Sequence, residues 1–386
     1  MHPFSRLIAI FCGLYLLGET GTASIESVFV TGDVPAGIRV QGSGVRPQIG
    51  FACCEHGLND MQALFDDPGV IASLKDLHAQ VAIPIADFAP ERVATARRLN
   101  SEGIPVIAWI ELDKSEGIYL NADTAPQAAA RINQFEKWTQ ANGLRWAAVG
   151  LDIEPNFSEL AQLRTHRWRM FRTLLLRSIN GSRIANARHA YTTVIAELQS
   201  RGYIVQTYQM PYLPAERSVH STVIDRLLGS VDVRGNEEYL MLYTSFARPV
   251  GPGMIWSLGR DAQAISIGVT DGDTPAGKDS GPLDWDEFSR DLIVASHYTN
   301  TIGVYDLEGC VRQGFLPRLE TMDWTQSVVL PAASVRRAER MGRVIRIVLW
   351  TASHLVYFIV AALLLLGWLL WRWRKRHITH HITSTT

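Results

Sequence analysis

Cysteine is scarce. The 386 residues hold four, Cys12, Cys53, Cys54 and Cys310, which excludes a small scaffold held by a disulfide framework. Cys53-Cys54-x-His56 also lacks the ligand spacing of a zinc site, so no metal is expected. An excess of charge is missing too: 37 Lys and Arg stand against 38 Asp and Glu, a formal net charge of -1. Without a basic surface, nucleic acid is not an expected partner. No phosphate cradle is present, because Gly251-Pro252-Gly253 is followed by no helix start with matching glycines and reads as a turn. No cofactor is called for. With 47% hydrophobic and 19% charged residues the composition shows no sign of disorder, and no internal repeat is visible beyond the strand-helix unit described below.

What the chain does have is an apolar run at each end. Arg6 precedes Leu7–Gly18, and Gly21-Thr22-Ala23 offers small residues for cleavage, so residues 1–23 read as a secretory signal too short to span a bilayer. Ile347–Trp371 carries no Asp, Glu, Lys or Arg and is long enough for a single transmembrane helix, with Trp350, Trp368, Trp371 and Trp373 near its ends and a neutral His354 inside. Arginines flank it on both sides, at 336, 337, 340, 343 and 346 and at 372, 374 and 376, so charge alone does not orient it. The signal does: the body is expected outside the cytoplasm, periplasmic or extracellular, with residues 372–386 as a cytoplasmic tail. Residues 332–346, rich in Arg and Ala, read as a stalk helix leading into the membrane. Ser24–Arg46, Gly-rich, is a lead-in expected to form a hairpin across the barrel floor.

Residues 47–331 alternate β-branched runs with helical patterns. Eight runs can be counted: Gln48–Cys53, Val81–Asp87, Pro105–Glu111, Trp146–Asp152, Tyr203–Gln209, Tyr239–Tyr243, Ala264–Val269 and Thr301–Asp306. Strand then helix, repeated eight times, is the size and order of a (β/α)8 TIM barrel, an α/β fold. Ala125–Asn142 and Arg183–Arg201 read as helices, the second ended by Gly202.

In such a barrel the site forms at the C-terminal ends of the strands. Trp146–Pro155, WAAVGLDIEP, is the most informative stretch. Alternation puts Val149, Leu151 and Ile153 on one face and Ala148, Gly150, Asp152 and Glu154 on the other, and Pro155 ends the ladder. Two carboxylates on one inward face repel unless one keeps its proton, which is how a general acid is tuned. The other strand ends offer Glu55 and His56, Asp87, Glu111, Tyr208 and Gln209, Tyr243, Asp271 and Asp273, and Asp306 with Glu308. Asp87, Asp271 and Asp273 also suit ordinary helix caps and turns. Trp109, Tyr119, Tyr208, Tyr212, Tyr243, Tyr305 and Trp324 could stack on sugar rings or simply pack at the barrel mouth.

The stretch resembles the strand-four signature of family 18 glycoside hydrolases, chitinase-like barrels with the pattern D-G-x-D-x-D-x-E. Asp152-x-Glu154 matches; Ala147, Ala148 and Gly150 stand where that family has Asp, Gly and the middle Asp. Met241-Leu242-Tyr243 resembles its M-x-Y, with Thr244 in place of the following Asp, and Gly303-Val304-Tyr305 resembles the start of its last strand. The resemblance implies a glycosidase acting on an N-acetylhexosamine-containing glycan. Glu154 would be the acid, Asp152 its orienting partner and Tyr243 a donor to the acetamido group; Glu55, Asp87, Trp109, Glu111, Tyr208, Gln209, Tyr305 and Asp306, at or near the strand ends, are the expected substrate contacts. Glu154-Pro155 also resembles the Asn-Glu-Pro of the large clan of retaining glycosidases, but strand seven ends in Thr270-Asp271 and supplies no Glu nucleophile. An inverting pair of Glu154 with Asp306 or Glu308 is a third route. The class alternative is a catalytically weak carbohydrate-binding or scaffold barrel, favoured by the changed positions 147, 148 and 150. Strands one and eight of a closed barrel are neighbours, so a disulfide from Cys53 or Cys54 to Cys310 is expected, with Cys12 lost in the signal.

Overall fold

The structure, a computed structural model, describes residues 37–54, 57–113, 119–155, 172–174, 176–178, 180–272 and 281–382. The expected signal, most of the lead-in and the side chains of Glu55, His56 and Asp273 lie outside these. The strands are β1 (Gly37–Gln41), β2 (Gln48–Ala52), β3 (Gln80–Ile85), β4 (Val106–Ile110), β5 (Ala148–Asp152), β6 (Val205–Gln209), β7 (Glu237–Met241), β8 (Ala264–Gly268), β9 (Thr301–Tyr305) and β10 (Ser327–Pro331). The helices are α1 (Leu58–Asp66), α2 (Pro68–Asp76), α3 (Pro90–Ser101), α4 (Ala125–Asn142), α5 (Gly181–Ser200), α6 (Leu213–Ser218), α7 (Val223–Leu228), α8 (Gly251–Leu258), α9 (Trp285–Ser296), α10 (Leu307–Arg312), α11 (Phe315–Glu320), α12 (Ala332–Ser353) and α13 (Leu355–Ile382).

Strands β2 to β9 form a closed barrel in sequence order, every neighbouring pair parallel and β9 closing on β2. Each of the eight anticipated runs supplies one strand. The alternation read for strand four holds: Val149, Leu151 and Ile153 are fully buried in the shell between strands and helices, while Ala148 belongs to an interior cluster with Ala82, Ile107, Trp109, Phe246, Val269 and Tyr305. Local signals set the helix ends. Gly143, left-handed at φ 59°, caps α4, and the Asn180 side chain accepts from the Arg183 N–H at 3.2 Å to start α5. Asp284 and Glu287 form a reciprocal capping box on α9.

Three expectations on architecture need correction. The lead-in makes no local hairpin among the described residues: β1 pairs antiparallel with β10, Gly37 opposite Pro331 and Gln41 opposite Ser327. A ribbon between chain segments this distant has no signature in local periodicity. The second concerns the stalk, because α12 lies on the body, with Ala332, Ser334, Val335 and Ala338 buried. Its close seat on α8 depends on Gly253, where a Cβ would stand 2.4 Å from the Ser334 carbonyl oxygen. The Ser334 hydroxyl accepts from the Gly253 N–H at 3.0 Å and donates to the Val250 carbonyl at 3.0 Å. Gly253→Ala is therefore expected to push the two helices apart and destabilise the chain by about 1–3 kcal/mol, read as a lower denaturant midpoint.

The third is the continuous transmembrane helix. The chain breaks at His354, and Ala332–Ser353 meets Tyr357–Trp373 at 61°. Among the described residues no single helix is long and apolar enough to cross a membrane, whereas that bent pair together meets the length and composition. His354 Nδ1 lies 2.7 Å from the Trp350 carbonyl, and its ring stacks on Trp350 at 4.7 Å. Leu349, counted in the apolar run, is buried against the body.

Candidate active site

The fourth barrel strand, β5, delivers the two carboxylates. Asp152 is its last residue and sits opposite Tyr208 of β6 in the parallel register. Ile153 continues as a bridge to Leu120, and the Glu154 N–H donates to the Leu120 carbonyl at 2.9 Å, which extends the same alternation past the strand end. Asp152 and Glu154 are both buried, 5% and 4% exposed. The two positions are one strand repeat apart, about 7 Å.

Aromatic rings share the barrel interior. Trp109 of β4 and Tyr208 lie 6.5 Å apart between centroids, Tyr243 stacks on Tyr305 at 5.5 Å, and Phe246 meets Tyr243 edge-on at 6.0 Å. The Tyr208 hydroxyl donates to Gln206 Oε1 at 3.1 Å, and Gln206 donates to Glu237 at 2.8 Å, so a polar column continues down the interior. Burial pushes the Tyr208 phenol well up, reinforced by Tyr239, Asp152 and Tyr243, so it stays protonated. Burial likewise raises Tyr212, whose neighbours include Asp225, Glu216 and Glu154; its hydroxyl bonds to Ser230. The Trp109 indole N–H is buried and has no hydrogen-bond partner among the described residues. Glu111 is buried just beyond β4, and its carbonyl accepts from Arg131 at 3.1 Å.

Gly150 explains its own lack of a carboxylate. A Cβ there would lie 3.1 Å from the edge of the Tyr208 ring. The ring occupies the space that a side chain at position 150 would need. Thr244, a further departure, has a partner of its own: its hydroxyl donates to Asp291 of α9, a carboxyl raised to about 6 by burial.

Several nominated residues are turned elsewhere. Gln209 follows inward-facing Tyr208 and so faces out, where its amide donates to the Val233 carbonyl at 2.8 Å. Asp87 accepts from Arg92 at 2.8 and 3.1 Å and from the Ala89 N–H at 3.0 Å, and the Arg92 hydrogen bond holds its carboxyl below the usual range. Asp306 caps α10, accepting from the Gly309 N–H at 2.9 Å. Asp271 pairs with Arg312, and Glu308 accepts from the Cys54 N–H. Glu55 lies outside the described residues.

The disulfide expectation is overturned. Cys53 bonds to its neighbour Cys54, and Cys310 is a free, buried thiol that donates to Thr270 Oγ1 at 3.8 Å. Cys54 takes a left-handed conformation, φ 74°, which removes it from the strand alternation that would have kept the two side chains on opposite faces. Sequence reasoning missed Gln206, Tyr239 and Phe246 in the interior, and the buried Ser230, Asp225 and Glu216 that gather with Tyr212 near Glu154. Gln206 was within reach, since it shares the inward parity of Tyr208.

No protein-family model matches the chain, and no curated protein matches it in sequence. Among solved structures it is similar to a family 18 chitinase from Pseudoalteromonas aurantia, at 11% identity and a TM-score of 0.44 over 71% of this chain and 99% of that one. It is also similar to the PgaB glycoside hydrolase domain of Bordetella bronchiseptica, at 10% identity and 0.43 over 72% of this chain and 98% of that one. A D-allulose 3-epimerase from Methylomonas sp. follows, at 13% identity and 0.37 over 78% and 97%. At these values none of the three assigns a function, and the barrel stands on its own strand pairing.

Proposed function

We propose that this chain is a glycoside hydrolase acting on an N-acetylhexosamine-containing glycan. The observation that carries the reading is the pair Asp152 and Glu154, both buried at the end of the fourth barrel strand, Asp152 beside Tyr208 and Glu154 near Tyr212, in a barrel interior that also holds Trp109, Tyr243 and Tyr305. Flat rings suit the faces of pyranoses, and the free Trp109 N–H suits a sugar oxygen. In this reading Glu154 gives its proton to the leaving glycosidic oxygen as the substrate's acetamido oxygen attacks the anomeric carbon. Asp152 orients that acetamido group and Tyr243 donates to it; water then releases the product and Glu154 regains its proton. Glu111, Trp109, Tyr208 and Tyr305 serve as substrate contacts.

The second reading, a carbohydrate-binding barrel with little or no catalysis, is favoured by Gly150, whose missing carboxylate is replaced by the Tyr208 ring. The anchoring reading belongs here as well: a cleaved signal, a body outside the cytoplasm and a single membrane pass through the exposed apolar run that begins at Leu355. Incubating the detergent-solubilised full chain with N-acetylhexosamine glycans and plain glycans tests the first reading. Cleavage with an N-acetyl requirement supports it, binding without cleavage selects the second, and neither outcome on any glycan refutes both.

A further inference from the structure

The helix that leads to the apolar run is seated at the barrel mouth. α12 packs on α8, α6 and α7. Leu349 shares one buried cluster with Met210 and Tyr212, which follow β6, with Met241, the last residue of β7, and with Ala215 and Ile224. Ile345 and the site residues Tyr208 and Tyr243 pack against the same cluster. Those barrel residues stand at or beyond the C-terminal ends of their strands, so this contact marks the mouth.

The apolar surface begins almost at once. From Leu355 onward Phe358, Leu363, Leu364, Leu365, Leu369 and Trp371 are exposed, a continuous surface far larger than a folded body leaves to water. Its occupant is bilayer hydrocarbon: the run from Leu355 to Trp371 rises about 25 Å as a helix, close to the thickness of the core. Trp368, Trp371 and Trp373 then meet Arg372, as interfacial aromatics meet headgroups. On the near side Trp350 and Arg343 are exposed, an aromatic and a cation of the kind that headgroups take up. Between Leu349, held on the mouth, and Leu355, the first residue of the run, the helix can rise only about 9 Å.

We infer that the barrel mouth is held against the membrane surface and that its substrate is a glycan joined to a membrane lipid. The inference rests on the glycosidase and anchoring readings above and adds orientation and substrate class. A polymer free in solution would reach the site only around the edge of the bilayer, whereas a lipid-borne saccharide is delivered at the right height and at high local concentration.

The test uses the full chain, Cys12→Ser, reconstituted in phosphatidylcholine vesicles. A fluorophore is attached at Ser218→Cys, on the helix α12 packs against, or at Glu102→Cys, in the exposed turn that enters β4 from the opposite end. Loss of fluorescence to a headgroup-bound nitroxide lipid at 218, with none at 102, is expected. Equal loss at both positions, or loss at 102 alone, overturns the orientation while the anchor stands; failure to float with the vesicles overturns both. In the same vesicles an N-acetylglucosamine oligomer is presented free or coupled to a lipid. The coupled form is expected to be cleaved with about tenfold or higher kcat/KM. Inserting a flexible Gly-Ser linker after Ser353 should remove that preference and leave cleavage of the free oligomer unchanged. Equal rates on the two forms, or a preference that survives the linker, overturn the substrate class. Cleavage of neither form refutes the glycosidase reading and with it the substrate class, while the quenching pattern still decides the orientation.

Discussion

Glu154→Gln is expected to lower kcat/KM on a cleaved N-acetylhexosamine glycan by about two to four orders of magnitude, the span that a positioned general acid supplies. The amide matches the carboxyl in size and fills the same buried position, so the fold and the denaturant midpoint should barely change. What it cannot do is release a proton to the glycosidic oxygen. Glycan affinity should persist, because Trp109, Tyr208, Tyr243 and Tyr305 are untouched, so the loss should fall on kcat with KM little changed. Asp152→Asn offers the companion measurement. Losing the orienting group with the acid in place should lower the rate and, because the neighbouring negative charge goes with it, move the alkaline limb that Glu154 sets to lower pH. Full activity in Glu154→Gln would remove this residue from the acid role and leave the β5 carboxylates a structural pair.

Stability is expected to fall as pH rises through the range where Asp225 titrates. Asp225 is buried beside Glu216 and Asp232, accepts from Ser230 at 2.9 Å and reaches Arg188 only at 3.9 Å. Burial, then Glu216, push its carboxyl from 3.8 to about 8. A carboxyl raised on folding keeps its proton where the unfolded chain has already lost it. The folded state then binds more protons, and the free energy of unfolding decreases with rising pH. The contribution is complete below the unfolded value and is gone above about 8; over that window it amounts to on the order of 5 kcal/mol. Glu216, also raised by burial, adds to the same slope, while its bonds from Ile224 N–H, Asp225 N–H and the Ser221 hydroxyl oppose the rise. Asp225→Asn mimics the protonated acid. Urea midpoints measured from pH 4 to 8 should be flatter for the variant and higher than the parent's at the alkaline end. Parallel curves would mean that Asp225 titrates normally.

The barrel was legible because its signals are local. β-branched runs, the period of two in WAAVGLDIEP and the turn residues at helix ends all act over a few positions, and the eight strands and α4 follow from them. The same rule sets Gln209 apart, since adjacent residues of a strand cannot both face inward and Tyr208 takes the interior. Gln209 donates to the Val233 carbonyl instead, and Asp306, one residue past β9, caps α10. Cysteine pairing was not legible, because the left-handed turn at Cys54 overrides the alternation on which the expectation rested.

By itself, then, the amino-acid order determined the eight strands of the barrel, the inward parity of Asp152 and Glu154 and the apolar character of the C-terminal run, since each depends on neighbours in sequence. Tertiary structure alone decided that β1 pairs with β10, that the Tyr208 ring fills the space beside Gly150, and that α12 rests on the body through Gly253 and Leu349. These are contacts between segments far apart in the chain, chosen by shape and burial once the barrel has closed, and no local pattern encodes them.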